Sequence, residues 1–96
     1  MSETPLSPHD DLPFRPHANA VLRRVGDGAV LVHLDTGQVF ELNDTAARIW
    51  ELVAAGRIAA DIVAVLQDEY AGDSAAVARD VDDLIGRWLQ EGLLDR

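Results

Sequence analysis

Hydrophobic positions in the first half of the chain fall in short runs that are typical of β-strands. The runs cover residues 20–25, 29–34 and 38–42, and turns rich in Gly and Asp separate them. Short runs of β-branched residues between such turns predict an antiparallel meander of three strands. Side chains along a strand point alternately to its two faces. We therefore expect Phe40 and Leu42 to face the core, and Val39 and Glu41 to face away from it.

After the third run the hydrophobic period lengthens to three or four residues, which predicts three helices. The first helix begins after Asn43, whose side chain is a good N-terminal cap, and ends at Gly56. The second covers about residues 58–70 and begins without a capping side chain. The third begins at Asp73 and Ser74, which offer capping side chains, and ends at Gly92. The order of elements, three strands and then three helices, predicts an α+β fold.

The first residues of the chain differ from the rest in texture. All four prolines lie within residues 1–17, which show no hydrophobic period. We interpret residues 1–17 as a flexible N-terminal arm, in which Leu12 and Phe14 are the apolar residues able to dock on the domain. We expect residues 18–96 to form a single domain, which is usual for a chain of this length.

Charge and composition limit the classes of partner. Seventeen acidic residues face eight basic ones, all arginine, and the net charge is -9. Nucleic-acid-binding proteins carry a basic face, so we expect no nucleic-acid partner. The acidity favours a neutral or basic partner or simply keeps a small domain soluble. No signal-peptide pattern and no membrane-length apolar run is visible, which predicts a cytoplasmic protein without a membrane partner.

No set of residues indicates catalysis or cofactor binding. The chain has no cysteine, which excludes disulfides, thiolate ligands and cysteine nucleophiles. The histidines are His9, His17 and His33, and none has a second ligand at metal-binding spacing. Three aspartates cluster on the third helix, at positions 80, 82 and 83, and we interpret them as a solvated face. The sequence therefore predicts no catalytic residues, no metal and no cofactor.

The predicted sheet has edges, and an edge strand leaves backbone N–H and C=O groups unpaired. A peptide can bind there as an additional strand. If the third strand is an edge, Val39 and Glu41 flank a groove between it and the third helix. On the helix side the candidate residues are Arg79, Asp82, Asp83 and Gly86. A glycine inside a helix costs about 1 kcal/mol relative to alanine, which a close backbone approach would explain; ordinary helix packing is the alternative.

Residues 35–50, with the sequence DTGQVFELNDTAARIW, resemble the PqqD family, also called RiPP recognition elements. The family pattern is a turn, a short strand, Leu-Asn-x-(Ser/Thr)-Ala, and a helix with Ile-Trp or Ile-Leu. Gly56, residues 61–63, residues 80–81 and residues 92–94 follow in the order that the family shows. The resemblance covers about residues 29–94.

The resemblance implies a winged-helix-like fold and the binding of a leader segment of a ribosomally made precursor peptide. The leader would add as a strand along the third strand and against the third helix. The implied contact surface is Gln38, Val39, Phe40, Glu41 and Leu42, with parts of residues 78–88. The Ile-Trp pair and the Gly-Leu-Leu ending are most similar to the stand-alone recognition proteins of lasso-peptide pathways, which hand the leader to a transglutaminase-like leader peptidase or another modifying enzyme.

Two other functions remain open from the sequence. A winged-helix DNA-binding regulator would have the same element order, but its recognition helix would be the third, where the aspartates would meet phosphate. A structural docking subunit would use the fold only to bind an enzyme. A small enzyme is disfavoured because no catalytic set is present.

Overall fold

The computed structural model describes residues 13–70 and 73–95. The elements are β1 (Arg15–Pro16), β2 (Ala20–Val25), β3 (Gly28–His33), β4 (Val39–Leu42), α1 (Asp44–Ala54), α2 (Ala59–Glu69), α3 (Ser74–Gln90) and β5 (Leu94–Asp95). Strands β2, β3 and β4 form the predicted three-stranded antiparallel sheet. The α+β fold, with this sheet followed by three helices, is confirmed. None of the described helices is long and apolar enough to cross a membrane.

The sheet has the order β2-β3-β4, so β4 is an edge strand. Its inner face packs against the helices. Leu42 is buried and Phe40 packs on the core while half-buried, whereas Val39 and Glu41 are exposed. The alternation predicted for this strand is therefore confirmed. The first residue of β3 is Gly28, and a Cβ atom there would collide with the Leu42 carbonyl oxygen, so this close approach of β3 to β4 requires glycine.

The N-terminal ends of α1 and α2 agree with the capping predicted from the sequence. The Asn43 side chain accepts a hydrogen bond from the Ala46 N–H at 2.8 Å and caps α1. Helix α2 begins after Ile58 without a side-chain cap, as expected. Asp73 is the N-terminal cap residue of α3, but its side chain makes no capping hydrogen bond. The side-chain cap predicted at Asp73 is therefore wrong, while the position of the helix start agrees. The side chain of Ser74, the other predicted cap residue, lies outside the described residues.

The core lies between the sheet and the three helices. Its centre is an aromatic pair in which Trp50 of α1 and Trp88 of α3 meet edge to face, with ring centroids 5.1 Å apart. Such pairs contribute beyond their burial because the positive ring edge meets the negative ring face. The largest fully buried side chains around the pair are Leu31, Ile49, Ile62, Leu66, Ile85 and Leu93. The core role expected of both tryptophans is confirmed.

The N-terminal segment makes contacts that its lack of periodicity could not indicate. Phe14 is buried in the core, and β1 pairs antiparallel with β5. These contacts fall within the predicted arm, because a single large apolar side chain and a two-residue strand give no periodic signal. Residues 1–12 lie outside the described residues, and the division of the chain at residue 17 stays a prediction.

A network of charged side chains joins β2, α1 and α2 on one surface of the domain. Arg24 donates to Asp44 at 3.0 Å and to Glu51 at 3.1 Å. Arg48 donates to Glu69 at 2.8 Å. Hydrogen bonds from Arg24 hold the pKa values of Asp44 and Glu51 below their ordinary range. The hydrogen bond from Arg48 does the same to the pKa of Glu69.

This network predicts a loss of stability in acid. A carboxylate with a lowered pKa in the folded state stabilises that state above its unfolded pKa, and the contribution disappears as pH falls through the folded pKa. We expect the melting temperature to fall as pH drops below the ordinary values of 3.8 for Asp44 and 4.5 for Glu51. The Arg24→Gln/Arg48→Gln variant should show a shallower fall, measured by thermal denaturation across this range. Parallel curves for both proteins would contradict the assignment.

Candidate functional site

A groove of about 770 Å³ lies between β4 and α3, closed below by the start of α1. Strand β4 contributes Val39, Phe40, Glu41 and Leu42. The turn into α1 and the helix itself contribute Asn43, Thr45, Ala46 and Ile49. Helix α3 contributes Asp80, Asp83, Leu84, Arg87 and Trp88.

The groove has an apolar floor and a charged rim. Ala46, Ile49 and Trp88 of the floor are buried, and Leu84 is half-buried at its wall. The rim is formed by the exposed side chains Glu41, Asp80, Asp83 and Arg87. An apolar floor favours the burial of apolar side chains, and a polar rim selects orientation. The groove therefore suits an extended chain with apolar side chains on one face.

The outer edge of β4 presents backbone groups to the groove. The His33 N–H donates to the Gln38 carbonyl oxygen at 2.9 Å. Bonded and non-bonded residue pairs alternate along an antiparallel ladder, so Phe40, two residues on, is also bonded to β3. Val39 and Glu41 lie between the bonded positions and direct their N–H and C=O groups away from β3. No other strand of the described chain pairs with this edge.

The structure brings together some of the residues proposed from sequence. Residues 39–42 and Asp83 line the groove. Gln38 precedes the lined part of the strand. Arg79, Asp82 and Gly86 do not line the groove. Residues three or four apart share a helix face. Each of these three residues comes directly before a groove-lining residue of α3, so they lie on a neighbouring stripe of the helix that does not face the groove. Contact of a bound chain with any of these residues stays a prediction.

Four groove residues on α3 were not site candidates from the sequence, namely Asp80, Leu84, Arg87 and Trp88, the last of which was assigned to the core. Together with Asp83, the first three recur at three- and four-residue spacing, which places them on one face of the helix. The signal was available, because this stripe borders the buried stripe of Val81, Ile85 and Trp88. What the sequence could not show is which side of the buried stripe meets the sheet.

A second cluster lies outside the groove at the C-terminal end of β3, where His17, His33 and Asp35 come together. Their possible ligand atoms lie within 4.8 Å of one another. Sequence spacing could not indicate this group, because the histidines come from segments that meet only in the folded chain. His33 is buried, with 6% of its surface exposed.

The hydrogen bonds of the cluster do not fit a metal site. The Asn19 N–H donates to His17 Nδ1 at 3.1 Å, and the Asp35 N–H donates to His33 Nδ1 at 3.2 Å. An Nδ1 atom that accepts a hydrogen bond leaves the proton of the neutral ring on Nε2, so neither nitrogen offers a free lone pair. One Asp35 carboxylate oxygen accepts from Asn19 at 2.7 Å. The cluster instead joins the segment before β2 to the turn after β3.

Comparison with known proteins identifies the family. The family described as "Coenzyme PQQ synthesis protein D (PqqD)" matches residues 28–94, more than half of the chain. The chain belongs to the PqqD family. The family resemblance stated from sequence is thereby confirmed. No curated protein matches the sequence significantly.

Two solved structures resemble this PqqD-family chain closely. One is "TbiB1 in Complex with the TbiA(beta) Leader Peptide", with 32% identity and a TM-score of 0.77, covering 83% of this chain and 93% of that one. The other is "Lasso peptide synthetase B1 complexed with the leader peptide", with 27% identity and a TM-score of 0.79, covering 88% and 99%. Both of these similar proteins are bound to leader peptides, and each match covers nearly the whole length of the solved chain.

Proposed function

We propose that this protein recognises the leader segment of a ribosomal precursor peptide in lasso-peptide biosynthesis. The leader adds to the sheet as a strand along β4 and lies in the groove against α3. The observation that carries the proposal is the unpaired edge of β4 beside an apolar groove. Support comes from the PqqD family match and from the two similar proteins, which are complexes with leader peptides.

Strand addition at β4 divides recognition between backbone and side chains. The N–H and C=O groups of Val39 and Glu41 bond to the guest backbone, and this contribution is independent of the guest sequence. Alternate guest side chains point to Leu84 in the groove wall and Trp88 in its floor, which selects apolar residues. Strand β2 is the other edge of the sheet, but none of its residues lines the groove. Addition there would provide backbone bonds without selection.

The chemistry belongs to a partner in this proposal. The groove lining offers carboxylates and one arginine, in an open site at the surface, which suits holding a chain and not transforming it. The protein presents the bound leader to a transglutaminase-like leader peptidase or another modifying enzyme. It acts in the cytoplasm, where ribosomal precursors are made. The DNA-binding alternative would place Asp80 and Asp83 of α3 against phosphate, which their charge opposes.

The proposal is tested by titrating fluorescently labelled leader peptides, beginning with the TbiA(beta) leader, against the wild type and the Leu84→Asp variant. The charge in the groove wall should remove about 2 kcal/mol of apolar contact, which weakens binding roughly thirtyfold. Fluorescence anisotropy gives the dissociation constants.

Ala78→Asp is the matched control, because it makes the same charge change at an exposed position of α3 outside the groove lining. It should bind like the wild type. Equal weakening by both variants would show that the effect is general electrostatics. A leader panel that binds none of the three folded proteins, while duplex DNA does bind, would favour the regulator.

A further inference from the structure

The charged groups of the groove rim have no partner within the described part of the chain. No ion pair or side-chain hydrogen bond joins the charged group of Glu41, Asp80, Asp83 or Arg87 to another described residue. Asp83 and Arg87 stand four residues apart on α3, a spacing at which opposite charges commonly pair, yet they remain apart. By contrast, Arg24 outside the groove lining is paired with both Asp44 and Glu51. The rim charges are thus available to a guest.

Two contacts fix the direction of α3 relative to β4. The Tyr70 hydroxyl donates to Asp44 at 2.9 Å, which holds the end of α2, and so the start of α3, near the last residue of β4. At the other end, a Cβ atom on Gly92 would lie 3.6 Å from His33 Nε2, and the His33 N–H bonds to Gln38, just before β4. Helix α3 therefore runs antiparallel to β4.

This direction separates the rim charges along the groove. Asp80 lies toward the Leu42 end of β4, with Asp83 next to it, and Arg87 lies toward the Val39 end. Asp80 and Arg87 are about 10 Å apart along the helix axis, at 1.5 Å per residue. An extended chain covers that distance in roughly three residues. One end of the groove is thus acidic, the other is basic, and a bound strand spans both.

We propose that this groove reads the order of charges in the guest, so that the leader carries a basic residue against Asp80 and Asp83 and an acidic residue against Arg87. This rests on the proposed function. Every strand pair of the sheet is antiparallel, and a guest that adds in the same manner runs from the Leu42 end of β4 to the Val39 end. The basic residue therefore precedes the acidic one by roughly two to four residues.

The charge order sets direction and register more than affinity. The groups are exposed, and an exposed ion pair changes a dissociation constant by roughly two- to fivefold. Complementary charges act mainly on specificity, because like charges meet when the guest is reversed or shifted. Backbone bonds alone allow a strand to slip or to bind backwards. The two rim charges penalise both errors.

The experiment is a selection of displayed random short peptides on the immobilised full chain, in parallel with a charge-swapped variant, Asp80→Arg/Arg87→Asp, that reverses the order of charges along the groove and keeps the net charge. Peptides selected on the wild type should be enriched in a basic residue two to four positions before an acidic one. Peptides selected on the folded variant should show the opposite order. Sequencing of both pools measures this directly.

A selected peptide and its isomer with the two charged residues exchanged are then titrated against both proteins. The exchanged peptide should bind the wild type several-fold more weakly at low salt and bind the variant more tightly, and added salt should reduce both differences. Selected peptides could lose affinity for the Leu84→Asp variant but show no charge order, or the same order on both proteins. That result would overturn the charge-order inference and leave the proposed function standing. Selected peptides that bind the Leu84→Asp variant unchanged would overturn the proposed function as well.

Discussion

Replacing Val39 with proline is expected to abolish leader binding while the domain stays folded. The N–H of Val39 points away from β3, so proline removes a donor that only the guest uses, and its ring occupies the space where the guest backbone approaches. Proline is tolerated on the free side of an edge strand. Fluorescence anisotropy should show no measurable binding of a labelled leader, with a far-ultraviolet circular dichroism spectrum like that of the wild type.

Two control variants make this result specific to the strand edge. Val39→Thr keeps the N–H and a β-branched side chain, and should bind the leader nearly as well as the wild type. Phe40→Pro removes a donor bonded to β3 and should destabilise the sheet itself. Glu41→Pro should behave like Val39→Pro, because residue 41 shares its outward direction. A folded Val39→Pro protein with undiminished affinity would rule out strand addition at this edge.

Replacing Trp88 with alanine is expected to cause the largest loss of stability. Trp88 is 2% exposed and meets Trp50 edge to face. Truncation of a large buried aromatic residue costs about 3–5 kcal/mol, a large share of the roughly 5–15 kcal/mol that stabilises a small domain. Urea denaturation followed by circular dichroism at about 222 nm should show a much lower midpoint concentration for the variant than for the wild type.

Trp88→Phe separates loss of volume from loss of an aromatic ring. It retains a ring edge against Trp50 and should cost clearly less than the alanine variant. Leu89, the next residue on α3, is only half-buried, and Leu89→Ala should also cost less. If Trp88→Ala unfolds at the same urea concentration as Leu89→Ala, the aromatic pair is not the centre of the core.

Trp88 also links stability to recognition. Its side chain is part of the buried core and part of the groove lining. The floor of the groove is therefore the outer surface of the core, and its shape is held by the same contacts that hold the fold. A groove of this kind is rigid before the guest arrives, which lowers the ordering cost of binding. The rim charges are exposed, so substitutions of them should leave that floor intact.

The three helices and the strands of the three-stranded sheet could be predicted from the sequence because each has a local signal. The Asn43 cap, the left-handed glycine at position 56 and the period change after Leu42 each locate a helix end by local chemistry. The buried position of Phe14 was not accessible in this way. A lone aromatic residue in a proline-rich segment has no periodic neighbours, so only the closed core shows where it packs.

Only part of the candidate site could be predicted from local sequence patterns. Residues 39–42 could be assigned from sequence because strand alternation fixes which side chains face out. The groove-facing side of α3 could not, and Arg79, Asp82 and Gly86 were named where Asp80, Leu84 and Arg87 line the groove. The helical period gives the stripes of a helix but not the rotation that brings one of them to a neighbouring strand.

The sequence by itself determined the order of the three-stranded sheet and the three helices, the faces of β4 and the family of the chain, since these follow from patterns of residues close together in the chain. The tertiary structure alone decided which stripe of α3 borders the groove, which end of that groove is acidic, and how His17 meets His33. These depend on helix rotation and on contacts between distant segments, which packing of the whole core sets and no local pattern encodes.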